Sequence, residues 1–150
     1  MSPSPADLAR RAPSVTPAST QTAAEAAIAP GRLVEPERFK PMYHWGLLIS
    51  DMLPESRLLG YTLLWYAHHT TGRISPARQP NRAKLVQQTG LSAARVGVHI
   101  ETLRQRGWLH LATVPEGPRA GLPRYDLTIP SLYLERIRAA RAERDRLNIR

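Results

Sequence analysis

Apolar residues recur at helical spacing in four stretches of the chain and alternate with polar ones in another. The clearest helix covers residues 92–106. There Val96, Ile100 and Leu103 fall at i, i+4 and i+7, which buries one stripe and leaves the opposite side to solvent. Ser92 stands before it as an N-cap and Gly107 behind it as a C′ residue. A short helix precedes it, capped by Asn81 and running to Thr89, with Leu85 and Val86 as its apolar face. Gly90 sits where a tight turn between two helices needs a residue that accepts positive φ. Further upstream, Leu58, Tyr61, Leu64, Trp65 and His68 predict a helix over 57–69 as the spine of the core, with Pro54 suited to a first turn. Tyr133, Ile137, Ala140 and Leu147 mark a last helix from Ser131 to about Leu147, its stripe interrupted by Arg144.

Trp108-Leu109-His110-Leu111 follows the other period. It predicts a strand from Trp108 to Val114, paired with a second from Arg124 to Ile129 across a long, proline-rigid tip at residues 115–123. Arg73-Ile74-Ser75 reads as a further short strand. Order is expected to begin near Phe39, where Met42, Tyr43, Trp45, Leu47, Leu48 and Ile49 form a dense apolar cluster, as a strand or a helix. Residues 1–36 are rich in Ser, Pro, Ala and Thr and cannot bury enough apolar surface to offset their ordering entropy. They are therefore read as a disordered tail, with a transient helix at most over Gln21–Ala29.

The run from Asn81 to Leu111 resembles the winged helix-turn-helix domains of bacterial MarR-like and GntR-like regulators and of some plasmid and phage replication proteins. The matching positions are Leu85, Gly90, Leu91, Ser92, Val96, Ile100, Leu103, Gly107 and Leu109, and the likeness extends over residues 54–130. It implies a mainly α fold with a small β-hairpin wing (α+β), a winged helix-turn-helix over residues 37–130. The helix after the turn would then read DNA. Regulators of this kind dimerise through helices outside the reading head, which makes 131–150 the expected dimerisation element and a homodimer the expected assembly.

Charge changes the picture further. The formal net charge is +9, carried almost wholly by arginine, since Lys40 and Lys84 are the only lysines. Residues 1–40 hold five basic and four acidic side chains, whereas residues 41–110 hold eight against three. The excess sits on the part expected to fold, which favours a polyanion-binding surface over a basic tail. A GC-rich genome offers a competing explanation, because codon bias raises Arg, Ala and Pro together.

With Val96, Ile100 and Leu103 inward, residues Ala94, Arg95, Val98, Glu101, Thr102 and Gln105 face outward, with Ala93 and His99 at the flanks. The N-terminal residues of a groove-reading helix meet base edges. Arg95 suits guanine, and Ala94 or Val98 a thymine methyl. His99, Thr102 and Arg106 are placed for phosphates, and Ser92 and Ala93 belong to the leading edge of the same surface. Arg78, Arg82 and Lys84 lie at the start of the preceding helix, where backbone amides and cations both favour phosphate. Arg119 and Arg124 lie in the hairpin, placed for a narrow minor groove or equally for solvent. Gly97 costs the helix roughly 1 kcal/mol relative to alanine. Close approach to a DNA backbone, poor base reading, or contact with a protein would each account for it.

Enzyme chemistry finds no motif: there is no glycine-rich phosphate loop, no HExxH and no local Ser, His and acid set. The chain has no cysteine, which excludes disulfides and thiolate metal sites. His68 and His69 point about 100° apart on a helix, with no acid nearby to complete a metal site. No cofactor or metal is expected. Nor is a membrane partner, because no apolar run approaches the roughly 18 residues a span needs. The expectation is a cytoplasmic regulator that binds double-stranded DNA. The alternatives are a plasmid or phage replication or partition protein, and a winged helix used for protein contacts.

Overall fold

The computed structural model describes residues 22–148, so the disorder expected of residues 1–21 lies outside them. In chain order the elements are helices α1 (Ala23–Ile28), α2 (Phe39–Ile49), α3 (Pro54–Tyr66), α4 (Arg82–Thr89) and α5 (Ala93–Gln105). Strands β1 (Leu109–Thr113) and β2 (Pro123–Leu127) follow, and helix α6 (Ser131–Asn148) comes last. The described chain is mainly helical with one two-stranded antiparallel sheet, an α+β architecture.

Helix α3 is the spine: it packs on α2, α4 and α5, while α6 closes over α2. Its buried face differs from the one its apolar residues predict. Ser56, Leu59, Gly60, Leu63 and Leu64 are inside, and Trp65 is 72% exposed. Small residues decide the orientation. A Cβ on Gly60 would stand 3.0 Å from Leu47, so α2 approaches α3 across the face that Ser56 and Gly60 keep low. His68 lies beyond the helix, which ends at Tyr66. Trp108, fully buried, anchors the other side of α2. Its ring meets Tyr43 edge-on at 5.5 Å, its carbonyl accepts the Tyr43 hydroxyl at 2.9 Å, and a Cβ on Gly46 would fall 2.6 Å from the indole. Burial pushes the Tyr43 phenol far above its ordinary pKa.

The leading segment departs from the expected tail, which was drawn to residue 36. Thr22 and Glu25 form a capping box that starts α1, and α1 lies against α6. The chain then runs beside the end of the hairpin: the Gly31 amide donates to the Ile129 carbonyl (2.7 Å) and the Ser131 amide to Ala29 (2.9 Å). The Ser131 hydroxyl donates to Ala26 at 2.6 Å. Composition misses this order because backbone groups, and not an apolar stripe, supply the contacts.

Arg138 completes the strap. It donates through two nitrogens to the Glu37 carboxylate, both at 2.9 Å, and to the Arg32 carbonyl. The Arg138 hydrogen bond holds the Glu37 carboxyl below its usual pKa, against the opposing effect of burial. A depressed folded-state pKa stabilises the fold above the unfolded value and loses that contribution as pH falls through the folded one. Glu37→Gln is therefore expected to lower the melting temperature at pH 7 while shrinking the drop on acidification below about pH 4.5. Thermal melts of both chains at pH 7 and pH 3 check this.

Helix α6 also departs from expectation. Leu134 and Ile137 are buried in the chain's own core, and Tyr133 lies 5.2 Å from the Trp108 ring with its hydroxyl on Asp51 (3.1 Å). The stripe that pointed to a homodimer is thus covered in cis at Ile137, and residues 131–148 belong to the domain core instead of standing apart as a dimerisation element. Leu147, 59% exposed, lies past the packed turns.

Candidate nucleic-acid interface

Helices α4 and α5 are joined by a turn whose conformation the sequence dictates. Gly90 has φ +75°, and its amide donates to Val86 at 3.0 Å. A Cβ there would meet nothing within 4 Å, so backbone conformation alone demands glycine. Asn81 Oδ1 accepts the Lys84 amide at 2.8 Å, and Ser92 Oγ accepts the Arg95 amide at 3.2 Å. The hydroxyl of Ser92 therefore caps α5, a role that fixes where the helix starts. Val96, Ile100 and Leu103 are buried as their spacing predicts, which leaves Ala93, Ala94, Arg95 and Val98 exposed on the leading half of α5. The Thr102 hydroxyl, half-buried, donates back to the Val98 carbonyl at 3.1 Å.

The hairpin pairs Leu109 with Leu127, Leu111 with Tyr125 and Thr113 with Pro123. The strand expected at Arg73–Ser75 reduces to a single bridge between Arg73 and Asp126. Gln79 does most of the holding here. Its amide donates to the carbonyls of Ile74 (2.9 Å) and Tyr125 (3.0 Å) and accepts the Tyr125 amide (2.8 Å). Pattern reading missed Gln79, which lies in a surface loop between Pro76 and Pro80; its only signal is a lone amide side chain between two residues of fixed φ.

Three expected contact residues are placed elsewhere by the structure. His99 is buried, and its Nδ1 shares a 2.7 Å hydrogen bond with Ser56 Oγ, so it faces α3 and cannot reach a phosphate. One residue per turn separates this flank from the buried stripe, and the small Ser56 leaves room for the imidazole. The pair has the spacing of a nucleophile and its base, but Ser56 has no exposed surface for a substrate. Arg106 lies at the far end of α5, bonded to Asp51 at 3.2 Å. Arg124 is half-buried on β2 and bonded to Asp126 at 2.8 Å, so its charge is met within its own strand.

The remaining cations gather around the corner at Gln79–Asn81. Arg78 and Lys84 line one shallow groove there, and Arg82 and Arg119 line the next. Arg82 reaches the first turn of α5, with Nη1 3.5 Å from the Ala93 carbonyl. Among the described residues, Arg78, Arg82, Lys84, Arg95 and Arg119 form no ion pair with an acid. Arg38, Arg104, Arg106, Arg124, Arg138, Arg144 and Arg146 all do. No family model, curated protein or solved structure matches this chain. The geometry of these side chains therefore carries the functional argument alone.

Gly97 acquires a cause different from those weighed on sequence. A Cβ there would stand 2.9 Å from Arg82 Nη1, so the glycine makes room for a guanidinium of this same chain. The obstacle is the end of a flexible side chain. Gly97→Ala is accordingly expected to raise stability by up to about 1 kcal/mol, since helix propensity improves and Arg82 can swing aside. A fall in melting temperature would show that Arg82 is fixed there. No group of three or more His, Asp or Glu gathers as a metal site among the described residues, and no described helix is long and apolar enough to cross a membrane.

Proposed function

We propose that residues 37–130 form a winged helix-turn-helix that binds double-stranded DNA, with α5 in the major groove and the β1–β2 hairpin as the wing, and that the protein regulates transcription in the cytoplasm. One observation carries the reading: the acid-free cations cluster on the starts of α4 and α5 and on the hairpin tip, while the arginines elsewhere are largely neutralised. A nucleic-acid backbone is the partner such a surface suits, because each phosphate neutralised releases a counterion. Ala94, Arg95 and Val98 occupy the positions that meet base edges, offering a guanine donor and two apolar groups for thymine methyls. Ser92 and Thr102 support the surface by capping and stiffening the helix.

Fluorescence anisotropy with a random-sequence duplex, repeated across a salt series, tests this. Five phosphate contacts would give a log–log slope between about −4 and −5. A flat dependence on salt would overturn DNA binding and favour the protein-contact reading, for which Val98, 61% exposed, supplies the apolar group. Selection from a randomised duplex pool, followed by Arg95→Ala, tests base reading. The variant is expected to lose about 1 to 3 kcal/mol at one preferred position, the worth of a bidentate pair.

A further inference from the structure

Between the first turn of α4 and the hairpin tip lies a cleft of about 310 Å³, at the lower end of the size range for small-molecule sites. Its floor is apolar, built from Pro80, Val114, Pro123 and Tyr125, with Leu122 at the edge. Its polar groups fall into two kinds. The amide of Gln79 is committed to Ile74 and Tyr125, and Asn81 Oδ1 to the Lys84 amide. The hairpin tip satisfies its own backbone: Gly121 donates to Val114 at 2.8 Å, Val114 to Leu122 at 3.0 Å, and Ala120 to Gly117 at 3.1 Å. What stays available to a guest is the pair of guanidinium groups of Arg82 and Arg119. No carboxylate lines the cleft. The nearby Asp126 is held by Arg124, and Glu116 lies on the exposed tip.

An apolar floor with two cations on its rim selects for a guest of matching character. We infer that this cleft binds a small, flat apolar molecule bearing one carboxylate or phosphate, its body against Tyr125 and Pro123 and its anion between Arg82 and Arg119. Arginine meets either oxyanion in a planar, two-pronged geometry, which is why the two chemistries share the site. Arg82 also touches α5 at Ala93 and lies over Gly97, so the guest draws on a side chain seated on the leading turn of that helix. The guest therefore competes with a duplex for Arg82 and Arg119. This last consequence rests on the proposed DNA binding; occupancy of the cleft does not.

Nuclear magnetic resonance titration of the full chain, without DNA, tests occupancy. The probes are 2-naphthoate and 2-naphthyl phosphate, with 2-naphthalenemethanol and inorganic phosphate as the apolar-only and anion-only controls. Both anionic naphthalenes are expected to shift the amides of Val114, Leu122 and Tyr125 saturably, about tenfold more tightly than either control, the worth of one charge-assisted contact. Whichever of the two binds more tightly identifies the preferred oxyanion. Leu122→Trp, at a 53% exposed position, is expected to fill the cleft and abolish these shifts without unfolding the chain. Arg119→Ala should weaken both probes about tenfold. Equal affinity for inorganic phosphate, equal affinity for the alcohol, or shifts centred elsewhere would each overturn the site. In the duplex assay, saturating 2-naphthoate is expected to weaken binding about tenfold. Unchanged duplex affinity with the cleft occupied would overturn the competition. A chain that binds no duplex even without the probe would overturn the DNA reading, and the competition with it, while the titration still decides the cleft.

Discussion

Replacing Ile137 by aspartate is expected to unfold the chain. Ile137 is fully buried, one helical turn beyond Leu134, where α6 closes over α2, and its Cδ1 would lie 3.0 Å from a Cβ on Gly46. No cation lines that contact from the α2 side, where Met42, Tyr43 and Gly46 are buried, so the new carboxylate has no partner. An unpaired buried charge of this kind costs upward of about 4 kcal/mol, a large part of the roughly 5 to 15 kcal/mol that holds a domain folded. Circular dichroism should show loss of the cooperative melt near room temperature. Leu147→Asp, on the same helix but exposed, is expected to melt within a degree or two of the parent. A folded, monomeric Ile137→Asp protein would instead restore the view of α6 as a surface between two subunits.

Neutralising four of the acid-free cations together, Arg78, Lys84, Arg95 and Arg119 to alanine, is expected to give the largest functional effect. All four are exposed and none makes an ion pair among the described residues, so the fold should survive. With about 0.9 of slope lost per phosphate contact, the log–log salt dependence should flatten by about 3 to 4, and affinity at low salt should fall on the order of a hundredfold or more. Removing Arg144 and Arg146, which are bonded to Asp145 and Glu143, provides the comparison. Their loss should barely move the slope. Equal effects from the two sets would mean that overall charge, and no particular surface, draws the nucleic acid.

Local signals proved readable where one residue type answers one backbone requirement. Gly90 and Gly107 adopt the positive φ their positions imply, Asn81 and Ser92 cap as expected, and Val96, Ile100 and Leu103 face inward. Reading weakened where burial depends on a partner distant in sequence. In α3, two faces are apolar, and the choice between them rests on Ser56 and Gly60 meeting α2 and α5. His99 looked like a flank residue because nothing in its neighbours announces Ser56, 43 positions earlier. Arg106 and Arg124 looked like free cations because Asp51 and Asp126 reach them only after folding, the first across the domain and the second along a strand. Order in residues 22–36 comes from backbone pairing with Ile129 and Ser131, which leaves no trace in composition.

The place where α1 docks has a practical consequence. The Ile28 carbonyl lies against Gly107, just past the C-terminal end of α5. Thirteen helical residues, close to 20 Å at about 1.5 Å each, separate that end from the turn bearing Arg95. A reporter group carried on α1 would thus ride on the same rigid body as the cation cluster yet stay clear of it. Because the chain contains no cysteine, a single one introduced at exposed Ala24 would be chemically unique. A dye attached there would follow the tumbling of the whole domain as a duplex arrives, without standing in its way.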